Sequence, residues 1–360
     1  MQCPDDAVLQ DFVDERSKEH VNVLLRMHLR QCAPCRELVS MLSPAVDSPR
    51  PFEGTSRHWG HPGDVLGGRY RLQRRIGEGA MGVVWAAGDE RSGAPGAAGA
   101  EAVALKLLRL PDSVSLRRFA RECRILTALE HPNIVRVYDV AEPAEGGYAY
   151  VVMELLDGET LEELLVRRGT LSLVEALELG RAVLAALGYA HRAGVIHRDL
   201  KPHNVFVHRD GAGVAVHKVI DFGLAKPTAD WNARASTLTR TGTVVGTPRY
   251  MAPEQLFDDP AADHRVDLWA LGIVLYRALS GGFPHEGRTL GEIVRAFAER
   301  RSVPLSTRAP ELPSDVTAFV GSLLGREPDE RPRTAALALA DLEAVQARHG
   351  ASFAARAVGS

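Results

Sequence analysis

Cysteine is scarce: the 360 residues hold four, Cys3, Cys32, Cys35 and Cys123. So few in so long a chain exclude a disulfide-stapled scaffold. Aromatic residues are sparse as well, at 6%. No apolar run reaches the ~18 residues that a membrane-spanning helix needs, so no span is expected. A basic excess is missing too: 43 Lys and Arg stand against 46 Asp and Glu, a net charge of −3. That balance argues against a nucleic-acid binder, which carries a basic stripe or patch. The opening stretch MQCPDDAVLQDF is acidic and lacks the apolar core of a signal peptide. These absences lead to the expectation of a cytoplasmic globular protein.

What is present divides unevenly along the chain. Residues 1–42 read as a small helical unit. Residues 43–63 are rich in Pro, Ser and Gly without hydrophobic period, which is linker composition. From Asp64 short alternating segments begin: RYRLQRRI, GVVWAA and AVALKLL, each patterned as a strand. Leu116–Leu129 reads as a helix and YAYVVMEL as a strand, and beyond Gly158 the chain is mostly helical to about His349. A first lobe over 64–156, a second over 157–348 and a tail over 349–360 follow. No 20–50-residue repeat is evident.

Several segments carry chemistry. Ile76–Val84 reads I-G-E-G-A-M-G-V-V. Gly77, Gly79 and Gly82 would let a turn lie close over phosphates and offer backbone N–H donors. A strand follows them, not a helix, which disfavours a dinucleotide fold; the plain alternative is a tight hairpin. In the next strand Val103, Leu105 and Leu107 face one way, Ala104 and Lys106 the other. A lysine among small residues suits a phosphate, its alternative being an edge-strand charge. On the following helix Glu122 shares a face with Phe119, Leu126 and Leu129. A carboxylate there needs a cation, and Lys106 is the natural one. Val195–Val207 places His197, Arg198, Asp199, Lys201 and Asn204 in a loop between two apolar strands, and K-V-I-D-F-G brings Asp221 after another. Asp221 and Asn204 are hard oxygen donors suited to Mg²⁺. Asp199 can take or orient a hydroxyl proton, and Lys201 can meet a moving phosphate. Any one such residue could be solvated surface, but the ordered set is that of phosphoryl transfer.

From about Arg69 to about Val345 the chain resembles the eukaryotic-type (Hanks-type) Ser/Thr protein kinases, in particular their bacterial branch. The Gly-rich loop, Ala104-Leu105-Lys106, Glu122, His197-Arg198-Asp199 through Asn204, Asp221-Phe222-Gly223, Ala252-Pro253-Glu254 and Asp267-Leu268-Trp269 carry the likeness. It implies an α+β bilobal protein kinase fold with ATP between the lobes and Mg²⁺ (or Mn²⁺) as its metal. By resemblance Met153 is the gatekeeper, the backbone of Glu154 and Leu156 meets adenine, and Ile76, Val84, Ala104 and Phe206 sandwich the ring. Asp267 would anchor the catalytic loop, and Arg331 would pair with Glu254. Lys201, two residues after Asp199, is the Ser/Thr-type signature. His203 takes no role. In TLTRTGTVVGTP, Thr239 and Thr241 are the expected autophosphorylation sites among Thr237, Thr239, Thr241 and Thr243. Protein substrates with Ser or Thr acceptors follow.

The cysteines need their own reading. His28, Cys32 and Cys35 recur at offsets of four and seven, one helical face, and with Cys3 would make four Zn²⁺ ligands. The stretch resembles the zinc-binding domains of anti-sigma factors, which implies a regulatory module and a sigma factor or other regulatory protein as partner. A thioredoxin-like Cys-Ala-Pro-Cys redox pair and a simple cluster of buried cysteines stay open, and Pro34 interrupts the helix. Cys123 reads as a core residue. Against the enzyme stand two other readings of the whole: a pseudokinase scaffold, and a zinc-dependent partner-binding protein.

Overall fold

A computed structural model describes residues 59–79, 82–92, 102–108, 125–141, 149–222, 247–256, 259–260, 262–287, 290–299 and 301–357. The compact unit they form runs from Trp59 onward. Its first part is a six-stranded antiparallel sheet of β1 (Val65–Leu66), β2 (Tyr70–Gly79), β3 (Gly82–Asp89), β4 (Ala102–Leu108), β5 (Val137–Ala141) and β6 (Ala149–Glu154). Their order is β1-β2-β3-β4-β6-β5. The alternation expected of β4 holds, because successive side chains point to opposite faces. Val103, Leu105 and Leu107 join Tyr70, Leu72, Val83 and Trp85 on one face. Ala104 and Leu108, with Val151 and Met153 of β6, lie in the same apolar cluster as the helices below.

The segment read as linker ends inside this unit. Trp85 Nε1 donates to the Trp59 carbonyl at 2.9 Å and Gly63 N to Leu72 O at 2.8 Å. Trp59 packs against the outer-face cluster, so its bulk has a place that its Pro/Gly-rich surroundings did not suggest. Of the helix expected over Leu116–Leu129, Ile125–Thr127 are helical, with Leu126 and Leu129 buried; the rest lies outside the described residues.

Beyond Glu154 the chain is helical around a small second sheet, β7 (Gly158–Thr160), β8 (Val205–Arg209) and β9 (Ala215–Val219), ordered β7-β8-β9. The helices are α1 (Leu161–Arg168), α2 (Leu173–Arg192), α3 (Pro253–Leu256), α4 (Arg265–Ser280), α5 (Leu290–Ala298), α6 (Leu305–Arg308), α7 (Ser314–Leu323) and α8 (Ala335–Ala357). α1 and α2 start on capping boxes, Thr160 with Glu163 and Ser172 with Glu175, which satisfy first-turn N–H groups. α4 is buried almost all round, as its sequence requires, and packs against α2 and α7. α8 lies along α2 and continues into the segment set aside as a tail.

One strand expectation fails. Val195–Ile196 is not a strand. Val195 N closes a turn onto Ala190 O, and the next N–H groups, of His197 and Arg198, go to a carboxylate instead of a neighbouring strand.

Candidate active site

The glycine-rich segment is the β2–β3 hairpin, closed by the Gly79–Gly82 pair. Gly82 has a steric reason to be glycine: a Cβ there would stand 1.9 Å from the Leu107 carbonyl oxygen on β4. The glycine-rich segment expected to lie over phosphates is thus a strand hairpin. Ile76 is exposed near its tip and Val84 is half-buried. Ala104 and Met153 are buried and directly paired across β4 and β6. Glu154 ends β6, Leu155 and Leu156 follow, packed against the main core, and Phe206 stands half-buried on β8.

The loop around Asp199 is built on Asp267, which sits wholly buried in the first turn of α4. Its Oδ2 accepts His197 N at 2.8 Å and its Oδ1 accepts Arg198 N at 2.8 Å. His191 Nε2 lies 2.8 Å from Oδ2. Burial alone would raise this carboxyl, but the His191 ring and the backbone donors outweigh it and hold Asp267 below the ordinary carboxylate range. From that anchor the chain presents Asp199, whose Oδ2 accepts Lys201 Nζ at 2.8 Å. Asn204 Nδ2 donates to the Asp199 carbonyl at 2.9 Å, which leaves its side-chain oxygen for a cation. Ile220 N donates to Asn204 O at 2.9 Å, so Asp221 follows directly on a residue tied to Asn204. One carboxylate and one amide oxygen are hard oxygen donors of the kind that fits Mg²⁺. Among the described residues no three His, Cys, Asp or Glu side chains gather as a metal cluster.

Lys106 Nζ donates to Asp221 Oδ2 at 2.6 Å, joining residues 115 positions apart. Glu122, the partner that the sequence leads one to expect for Lys106, lies outside the described residues. Gly223, Cys123, Thr237, Thr239, Thr241 and Thr243 lie outside them too, as do Cys3, His28, Cys32 and Cys35. Arg331 and Glu254 form the expected pair, bidentate at 2.6 and 2.8 Å.

Two groupings were not legible beforehand. His191, at the end of α2, shares Asp267 with the loop backbone. Glu162 of α1 accepts both ends of the Arg277 guanidinium, which also donates to Tyr250 Oη at 2.6 Å. Burial opposes ionisation of Glu162, yet Arg277 keeps it below the usual range, and burial pushes Tyr250 up to about 12. His203 Nδ1 stands 3.7 Å from Glu162, a contact nothing in the local sequence announces.

Comparison with known proteins adds the family. Residues 70–341 match the protein kinase domain. The Ser/Thr-protein kinase PknA of Mycobacterium tuberculosis is 38% identical over 278 residues, covering 76% of this chain and 60% of PknA. PrkC of Bacillus subtilis, also a Ser/Thr-protein kinase, is 33% identical over 78% of this chain and 41% of its own length. The chain thus spans less than two thirds of the length of these relatives. The kinase domain of Mycobacterium tuberculosis PknI superposes with a TM-score of 0.58 at 27% identity, covering 79% of this chain and 97% of that one. Rad53 residues 1–466, in complex with AMP-PNP, gives 0.59 at 26% identity over 75% of this chain and 64% of that chain.

Proposed function

The chain belongs to the protein kinase domain family, and from that premise we propose that it transfers the γ-phosphate of ATP to serine and threonine hydroxyls of proteins. The observation that carries the reading is the convergence of Lys106 and Asp221 with the Asp199–Lys201–Asn204 loop. A nucleotide would lie between the two sheets, its adenine between Ile76, Val84 and Ala104 above and Phe206 below, against the backbone of Glu154 and Leu156. The AMP-PNP bound by Rad53 agrees with such a site.

In this reading Asp199 accepts the proton as the acceptor oxygen bonds to phosphorus and the bond to ADP breaks. Lys201, already on Asp199, meets the charge of the transferred group, and Lys106 holds phosphate oxygens. Asp221 and Asn204 would hold Mg²⁺, which when bound neutralises phosphate charge. The Lys201 signature favours Ser/Thr over tyrosine acceptors, as in PknA and PrkC. No catalytic-role residue is missing from the sequence, which favours an enzyme over a pseudokinase scaffold.

The reading extends to autophosphorylation at Thr239 and Thr241, to Glu122 as a partner of Lys106, and to a regulatory Zn²⁺ module on Cys3, His28, Cys32 and Cys35 that binds a sigma factor or other protein. Cytoplasmic work agrees with the finding that no helix among the described residues is long and apolar enough to cross a membrane. Purified protein with Mg²⁺ and γ-labelled ATP is expected to gain label on threonines between Asp221 and Glu254, and Asp199→Asn to gain none. Equal labelling of the two proteins would refute the assignment.

A further inference from the structure

Lys218 and Glu154 are 64 positions apart, yet Lys218 Nζ donates to Glu154 Oε2 at 2.9 Å. Their side chains are 12% and 23% exposed, so both charges are largely withdrawn from water. A lysine so placed needs a counter-charge, and a carboxylate so placed needs donors. Glu154 has them from two directions. Arg136 N also donates to its Oε2, at 3.3 Å, while its own N donates to Arg136 O at 2.9 Å.

The two partners belong to different sheets. Glu154 is the last residue of β6, paired with Val103 of β4. Lys218 is on β9, directly opposite Phe206 of β8. Residues opposite one another in a sheet share a face, so the lysine stem runs beside Phe206. The covalent link between the sheets at this point is only Leu155, Leu156 and Asp157. A charge-assisted bond spanning that short link limits how Glu154 and the two residues after it can turn.

We propose that Lys218 is a positioning residue for the nucleotide: by holding the Glu154 carboxylate it fixes the backbone of Glu154 and Leu156 against adenine, with Phe206 beneath. This rests on the nucleotide reading above. Lys218 touches no reacting atom. It sets the geometry of the adenine contacts, and phosphate transfer follows from that.

The test measures equilibrium binding of ATP and of adenosine to the full chain by calorimetry, for wild type, Lys218→Met, Lys218→Arg, Glu154→Gln and the Lys218→Met/Glu154→Gln double variant. Loss of a charge-assisted bond is expected to weaken both ligands about tenfold in Lys218→Met and in Glu154→Gln. The factor is the same for adenosine as for ATP, because the defect lies at the adenine end. Lys218→Arg restores most of the affinity, and the double variant is no weaker than either single one. Wild-type affinity in Lys218→Met, or a loss confined to ATP, would overturn the inference, the latter placing the defect at the phosphates. A merely structural pair would lower the melting temperature without a matched adenosine loss, and that result also overturns it. Lys218→Arg and Glu154→Gln preserve shape, so the comparison stands even if Lys218→Met folds poorly. Wild type that binds neither ligand would bring down the nucleotide reading itself.

Discussion

Arg198 and Asp221 have left-handed backbones, φ 62° and 61°, and are the non-glycine residues with positive φ among those described. Each such residue costs about 1 kcal/mol or more, so surrounding bonds must hold it. Arg198 is held by its N on Asp267 and its carbonyl on Gln255 Nε2. Asp221 follows Ile220, whose N is on Asn204 and whose carbonyl lies 3.0 Å from His197 Nε2. The strain therefore sits where a carboxylate must be aimed, and Asn, which tolerates this backbone, makes a fair replacement. Asp221→Asn is expected to keep the fold and lower phosphate transfer by about 10²-fold or more, as is Lys106→Met, since each removes one positioned electrostatic group. Steady-state assays beside melting curves check this; near-normal rates in either variant would contradict the roles given to them.

At the scale of elements, α4 is the post on which the second lobe is assembled. Its Asp267 carries the loop, and its Trp269 takes the Arg331 guanidinium at 5.0 Å from the ring centre. All five Arg331 donors are used: Glu254 twice, and the carbonyls of Gly325, Arg265 and Arg326. Both partners are buried, so water cannot replace a lost one. Arg331→Met is expected to cost about 3–5 kcal/mol in urea unfolding, the range for stranding a buried charge. Arg331→Lys should fail to rescue it, because an ammonium cannot present the fork. Arg331→Met combined with Glu254→Gln should cost less than the two single changes added together. Additive costs would mean that the ion pair is not a unit.

For the whole molecule, acid stability offers a test. His285, in the connection between α4 and α5, lies against Trp269 and Phe297, and its Nδ1 is buried without a hydrogen-bond partner. Burial, helped by Arg326, pushes it down to about 4. In the unfolded chain it titrates near 6.5, so between the two values the unfolded state binds the extra proton. Stability from this residue is full above pH 6.5 and falls as pH drops toward 4, by up to roughly 3 kcal/mol. Denaturant melts across that window should flatten in His285→Leu; an unchanged slope would assign the effect elsewhere. The N-terminal residues make a separate test. If Cys3, His28, Cys32 and Cys35 bind metal, one Zn²⁺ per chain should copurify under reducing conditions and be lost in Cys32→Ser/Cys35→Ser. Chelation should then leave the 59–357 unit folded, since a segment of about 40 residues has little core of its own and depends on the metal alone. Elemental analysis showing no zinc in reduced wild type would refute the site.

Much of this was legible in the sequence because it depends on short range. The alternation in β4 assigned its two faces, since a strand's side chains alternate whatever it packs against. The short spacing of Asp199, Lys201 and Asn204 kept them in one loop, where their side chains meet. The apolar character of α4 was similarly local, whereas the capping boxes of α1 and α2 came to light only in the structure. Contacts across long loops were not legible: Lys106 with Asp221, Glu162 with Arg277 and Lys218 with Glu154 join residues 64 to 115 positions apart. Nor could the sequence show that Val195–Ile196 would forgo a strand. Their neighbours' N–H groups are claimed by Asp267, and only the packing of α4 beneath the loop brings that carboxylate within reach. Spacing along a chain determines which side chains share a face. Which charge meets which is decided by burial, because a desolvated ion takes the partner that the finished packing leaves beside it.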